Sequence, residues 1–228
     1  MIIAGMQKSS TLDFPGNLSC VLFTRGCNMD CFYCHNRDIL SKKGENLAMD
    51  EVFSFLEKRR GLLDGVVVSG GEPTLQPDLI ETIQKIKKMG YRVKLDTNGQ
   101  NPETLAALIE QKLLDYIAVD WKAPAEELCS VCGPNCQYEK TKDTLFLLLN
   151  QDIPFEARTT LYPGLSGEKL LALAGDLPPL PAYRLNFYRV PKGYRPEDEE
   201  RILSAALTPA DIRALEKPLR AVQPNLIF

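Results

Sequence analysis

Short apolar runs alternate with amphipathic segments along most of this chain. The run Leu18–Thr24 (LSCVLFT) has the character of a strand, and Met49–Arg60 places Val52, Phe53 and Leu56 on one helical face. Gly65–Ser69 (GVVVS) predicts a second strand, and Pro77–Met89 a helix with the stripe Leu79, Ile80, Ile83 and Ile86. The alternation continues through a strand at Tyr91–Leu95, a helix at Pro102–Leu113 with proline near its first turn, and a strand at Tyr116–Asp120. A looser stretch precedes a helix at Tyr138–Asn150, and strands at Phe155–Leu161 and Arg184–Val190 flank a short helix at Glu168–Ala174. One more helix is expected at Pro209–Glu216, in a tail rich in proline and charge.

Strands that alternate with helices predict an α/β fold with a mostly parallel sheet. Right-handed crossovers put every loop that follows a strand on the same edge of that sheet. Six such units are fewer than the eight of a closed barrel, so the expected fold is an open, partial (βα)6 TIM-like barrel. The expected organisation is a barrel domain over residues 1–190 and a C-terminal tail, 191–228, whose one helix packs on the barrel.

Composition changes this picture little. Hydrophobic residues at 44% and charged residues at 25% are ordinary for a soluble globular protein. A net charge of -3 gives no global pull toward nucleic acid or an anionic membrane, and neither partner is expected. No stretch approaches the length of a membrane span and the first residues lack a signal-peptide pattern, so the expected location is cytoplasmic. In that reducing compartment the cysteines, grouped as 27/31/34 and 129/132/136 with Cys20 apart, read as metal sites before disulfides.

The first group follows the first predicted strand at C-x3-C-x2-C spacing. Thiolates are soft ligands that select zinc or iron–sulfur clusters. Structural zinc closes its shell with four ligands, and iron–sulfur carriers also usually show four cysteines. Here the local count is three, and His35 is the sole histidine of the chain. A cubane on Cys27, Cys31 and Cys34 leaves one iron without a protein ligand, free to chelate a small molecule. Three reduced thiols, or zinc with a borrowed fourth ligand, are the plainer readings of the same residues.

The loop Cys27-Asn28-Met29-Asp30-Cys31-Phe32-Tyr33-Cys34 resembles the signature of the radical S-adenosylmethionine (SAM) enzymes, and the likeness extends over roughly Gly5 to Pro163. The resemblance implies a [4Fe-4S] cluster whose fourth iron binds the amino and carboxylate groups of SAM. It also implies reductive cleavage of SAM to methionine and a 5′-deoxyadenosyl radical. Tyr33 would then lie near adenine.

Other polar motifs follow the predicted strands. Gly70-Gly71-Glu72-Pro73 combines two residues that permit close backbone approach with a carboxylate able to accept from an ammonium group. In the family this motif holds the SAM amino group. Asp96-Thr97-Asn98-Gly99 and Asp120-Trp121-Lys122 resemble segments of the glycyl-radical activating enzymes, and Arg158 a later strand's arginine that faces the SAM carboxylate. Carried across, Gly70, Gly71, Glu72, Asp96, Thr97, Asn98, Asp120, Lys122 and Arg158 would surround SAM and a monovalent cation. Each of these charges could equally be a solvated loop residue, and Asn98-Gly99 is turn chemistry on its own terms.

Ser9-Ser10-Thr11-Leu12-Asp13-Phe14-Pro15-Gly16 and the run Val119–Pro124 resemble most the activating protein of anaerobic ribonucleoside-triphosphate reductase. The implied reaction is hydrogen abstraction from a glycine of a partner enzyme, with a flavodoxin- or ferredoxin-type electron donor. Residues 35–48 leave no room for an inserted ferredoxin-like domain, and Asn186 and Phe187 stand where the pyruvate formate-lyase type has a histidine. Cys129, Cys132 and Cys136 lack a fourth thiol nearby, so a second cluster is not expected. The rival readings are a radical SAM enzyme acting on a small molecule, as deazapurine synthases do, and a non-catalytic iron–sulfur electron carrier.

Overall fold

Apolar runs rich in valine and isoleucine pair most readily when both faces of the resulting sheet are covered. In the structure, a computed structural model that describes residues 1–41 and 43–228, these runs form one sheet in chain order. Its strands are β1 (Ile3–Ser10), β2 (Ser19–Thr24), β3 (Gly65–Gly70), β4 (Arg92–Thr97), β5 (Tyr116–Asp120), β6 (Phe155–Leu161), β7 (Tyr183–Phe187) and β8 (Leu226–Ile227). β1 runs antiparallel to β2, and every other neighbouring pair is parallel. β1 and β8 are the two edges and do not pair, so the barrel stays open. The helices are α1 (Met49–Lys58), α2 (Leu79–Lys88), α3 (Pro102–Glu110), α4 (Leu128–Cys132), α5 (Tyr138–Leu149), α6 (Gly167–Gly175), α7 (Glu199–Ile202) and α8 (Pro209–Val222).

Side chains alternate across each strand and sort into two clusters. Leu22, Val66, Val68, Val93, Leu95, Ile117 and Val119 are fully buried on the outer face, in one core with Leu56, Ile83, Ile86, Leu108, Leu145 and Leu148 of the helices. Each such side chain contributes roughly 1.5–3 kcal/mol by leaving water. On the inner face Phe14, Val21 and Val67 form a separate small cluster with Phe23 and Tyr116. Phe14 comes from the loop between β1 and β2 and plugs the end where the parallel strands begin. Its ring lies 6.2 Å from that of Tyr116, and a Cβ on Gly65 would sit 2.9 Å from it.

The structure adds elements that the pattern did not predict. β1 was missed because only Ile3 and Ser10 are buried along it, so it shows no alternation. β8 is two residues long, and it carries the chain after residue 190 back to the edge of the sheet beside β7. α8 runs six residues beyond its expected end and contains Pro218, which removes a helix hydrogen bond. Buried Ile212 and Leu219 and the packing of Leu215 on Gly167 of α6 outweigh that loss. Truncation of the plug, Phe14→Ala, should destabilise the fold by about 3–5 kcal/mol in urea unfolding, the scale of a phenylalanine cavity.

Candidate functional site

All parallel strands end at one edge, so their following loops converge there. A cleft of about 220 Å3, partly open to solvent, lies at this edge. Cys27, Cys31, Tyr33, Cys34, Gly70, Gly71, Asp96, Thr97, Asn98, Asp120, Lys122 and Arg158 all line it. Glu72 does not. Ser69, Thr160, His35 and Asn36 also line the cleft and were not singled out. Thr160 was findable, since it stands two residues beyond Arg158 on the same strand face.

The two glycines after β3 answer to the protein's own backbone. Gly70 has φ +113°, and a Cβ there would sit 2.3 Å from the Thr24 nitrogen; on Gly71 it would sit 2.1 Å from the Gly26 carbonyl oxygen. The close approach permits Gly71 N–H to donate to Thr24 O at 2.8 Å and Glu72 N–H to donate to Gly26 O at 2.8 Å. Asn36 Nδ2 donates to Gly70 O at 3.1 Å, and Asn98 Nδ2 to Asn28 Oδ1 at 2.7 Å. The cysteine loop is thereby stitched to the ends of β3 and β4.

Glu72 is fully buried and its carboxylate is spent inside the protein. Oε1 accepts from Thr74 N at 3.1 Å, Thr74 Oγ1 at 2.6 Å and Thr97 Oγ1 at 2.7 Å, and Oε2 accepts from Asn98 N at 2.7 Å. Burial pushes its pKa up against the opposing pull of these bonds. Where the family likeness gave this side chain to an ammonium group, the structure has it hold the Asp96–Asn98 turn from behind.

A row of alternating charges crosses the cleft wall. Lys94 Nζ pairs with Asp96 Oδ1 at 2.8 Å, Asp96 Oδ2 with Arg158 Nη1 at 3.2 Å, Arg158 Nη2 with Asp120 Oδ1 at 3.0 Å, and Asp120 Oδ2 with Lys122 Nζ at 2.9 Å. Three cations against two carboxylates leave one positive charge. Burial opposes ionisation of Asp120, yet Lys122 and Arg158 hold its pKa at about 2. Burial likewise works against Lys122 and Arg158, and their carboxylate partners outweigh it and push both pKa values up. The surplus charge and the nearby hydroxyl and amide groups suit a ligand with a carboxylate.

The thiols line the same cleft. Burial pushes Cys27 up to about 12 and raises Cys34, so metal binding there must displace protons. Among the described residues no three His, Cys, Asp or Glu groups converge where one ion could sit. A cubane gives each thiolate its own iron and needs no such convergence. Tyr33 stacks on Tyr162 at 5.4 Å with a 5° interplanar angle, and its buried hydroxyl has no partner among the described residues. Tyr33 and three soft thiol donors line one cleft, so the residues fit a bound cluster.

The second cysteine group is closer to the first than its spacing implied. α4 pairs with the cysteine loop through Asp30 N to Cys132 O at 2.8 Å and Phe32 N to Val131 O at 3.1 Å. The neighbouring Cys132 thiol draws the pKa of Cys31 down, and Cys31 together with burial pushes that of Cys132 up. Cys136 turns instead to the Gly133 carbonyl at 2.6 Å, and Cys129 is exposed. Arg25 is buried and shapes the following loop through Asn46 Oδ1 at 2.6 Å and Lys43 O at 2.9 Å.

Replacing Glu72 by Gln puts an amide nitrogen against N–H and O–H donors. The Glu72→Gln protein should lose about 1–3 kcal/mol in urea unfolding, the cost of unsatisfied buried groups. An unchanged midpoint would show that the carboxylate does not hold the turn.

Comparison with known proteins agrees with the cleft. Residues 21–177 match the family model of the radical SAM superfamily. The chain is 34% identical over 173 residues to a Methanocaldococcus jannaschii protein provisionally named a glycyl-radical enzyme activating enzyme, over 74% of this chain and 71% of that one. It is 36% identical over 101 residues to the pyruvate formate-lyase-activating enzyme of Staphylococcus aureus, over 41% of this chain and 40% of that enzyme. Methylornithine synthase shares the fold with a TM-score of 0.68 at 15% identity, over 90% of this chain and 63% of its own. The chain belongs to the radical SAM superfamily.

Proposed function

We propose that this radical SAM enzyme activates a glycyl-radical enzyme by abstracting hydrogen from one of its glycines. Family membership implies a [4Fe-4S] cluster and SAM. The observation that carries the reading is the cleft itself, lined both by three thiols and by the cationic row. Cys27, Cys31 and Cys34 would hold the cluster. Lys122 and Arg158 would receive the SAM carboxylate, while the strand-end backbone at Gly70 and Gly71 would border its amino group. Bound together, cluster and SAM supply reductive cleavage of the sulfonium and a 5′-deoxyadenosyl radical.

Two features favour a polypeptide substrate. The cleft opens to solvent in a barrel that is itself open. A relative matched over 74% of this chain and 71% of its own length carries an activating-enzyme name. The partner proposed is an anaerobic ribonucleoside-triphosphate reductase, with a flavodoxin- or ferredoxin-type donor in the cytoplasm. A monovalent cation is not included, because Asp96 and Asp120 already spend their carboxylates on Lys94, Arg158 and Lys122.

The reconstituted protein with reductant and SAM should release 5′-deoxyadenosine, and adding the partner should give a glycyl signal in electron paramagnetic resonance. Release of 5′-deoxyadenosine with no glycyl signal from any such partner would move the substrate to a small molecule. No release at all would leave an electron carrier and end the enzymatic reading. Cys27→Ala, Cys31→Ala and Cys34→Ala should each reduce iron from about four atoms per chain to near zero.

A further inference from the structure

The Ser-x-x-Asp-x-Pro-Gly run, Ser10–Gly16, begins on the last residue of β1 and continues into the loop before β2, at the floor of the barrel, the end opposite the loop that carries the cysteines. One side chain spans the distance. Lys94 stands on β4 two residues before Asp96, so both face the lumen. It is 2% exposed. Its Nζ donates to the backbone carbonyl of Asp13 at 2.6 Å, pairs with Asp96 Oδ1 at 2.8 Å and lies 5.8 Å from the centre of the Tyr116 ring.

Both ends of this link are held. At the floor, Ser10 Oγ accepts from Leu12 N at 3.1 Å and from Asp13 N at 3.2 Å, and donates to the Asp13 carboxylate. Asn17 N closes the loop on Phe14 O at 3.0 Å. At the cleft, the second oxygen of Asp96 accepts from Ser69 Oγ at 3.1 Å and pairs with Arg158. Lys94 therefore touches no surface of the cleft, but it neutralises the carboxylate that shares Arg158 with Asp120. Without its ammonium the row falls from three cations and two anions to two of each, and Arg158 becomes the sole close cationic partner of Asp96. The guanidinium is then drawn down toward the floor and the surplus positive charge is lost.

We infer that Lys94 is a positioning residue that holds Asp96, and through it Arg158, for the carboxylate of SAM, and that it couples the floor loop to occupancy of the cleft. The inference rests on the reading of the cleft as a SAM site. Coupling between two sites is reciprocal, so SAM at the mouth must also steady the loop at the floor.

The test is SAM binding to the cluster-loaded protein by anaerobic equilibrium dialysis. Lys94→Met should raise the Kd about tenfold, the scale of one charged hydrogen bond, with iron content unchanged. In an Asp96→Asn background the same substitution should change Kd by less than about twofold, because the route through Asp96 is already cut. Hydrogen exchange gives a second readout: SAM should slow exchange at the Asn17 amide in the wild type and not in Lys94→Met. A folded Lys94→Met protein that binds SAM like the wild type overturns the inference, as does a loss that adds in full to that of Asp96→Asn. If Lys94→Met does not fold, Ser10→Ala decides, since it loosens the turn that presents the Asp13 carbonyl. A raised Kd supports the coupling and an unchanged one overturns it. A wild-type protein that does not bind SAM sinks the functional reading together with this one, whereas binding that no variant alters sinks the role of Lys94 alone.

Discussion

Four hydrogen bonds end on the buried carboxylate of Glu72, and through them the turn after β3 carries the turn after β4. A buried carboxylate is tolerable only when its lone pairs are filled, and each donor supplied here fixes a backbone or hydroxyl position. The glycines before it bring the cysteine loop into the same arrangement, because only residues without Cβ can lie against Thr24 and Gly26 at these distances. Cluster loop, strand end and neighbouring turn are thus one hydrogen-bonded body. The wall of the cleft can meet a ligand without rearranging, which is the condition for fixed dipoles to act on developing charge.

The charge row follows from the same constraint seen from the lumen. A barrel interior offers little water, so each charge there needs an opposite neighbour or it shifts its pKa and neutralises. Alternation along Lys94, Asp96, Arg158, Asp120 and Lys122 meets that need. It also leaves an odd cation, and a row of five cannot balance itself. The imbalance is tolerable because the cleft is partly open, and it favours a ligand that brings a negative group. Burying such a row is a cost to stability rather than a gain, as buried ion pairs often are. Its presence is explained by binding better than by folding.

Much of this was legible in the sequence, for a physical reason. Parallel strands joined by right-handed crossovers must place every post-strand loop at one edge, so polar residues after six apolar runs had to meet. Legibility failed where direction mattered. Nothing in Gly70-Gly71-Glu72 says whether the carboxylate faces a ligand or turns inward, because the donors that decide it, Thr97 and Asn98, lie on another strand end. Lys94 stands inside the run Val93-Lys94-Leu95, and its period of two with Asp96 does not say that the two face a lumen rather than solvent. The backbone pairing of Cys132 and Val131 with Asp30 and Phe32 joins loops from non-adjacent strands, and no local pattern encodes it.

The segments outside the superfamily match carry their own share of the site. Residues 21–177 hold most of β2, all of β3 to β6 and the polar row, yet the floor plug Phe14 precedes them and the brace of the cysteine loop follows them. Arg195 Nη1 reaches Asp30 Oδ2 at 2.8 Å, opposite Arg37 on the other oxygen of the same carboxylate. Arg201 lies 3.7 Å over the ring of Phe32 and donates to Ser130 O at 2.8 Å. One stretch after β7 therefore clamps both the cysteine loop and α4, whose backbone already pairs with that loop. A guanidinium at that distance from a ring gains from the ring's quadrupole most where water is excluded. The tail is part of what holds three thiols in place, and a fragment that ends at residue 177 would keep the thiols while losing the clamp that orients their loop.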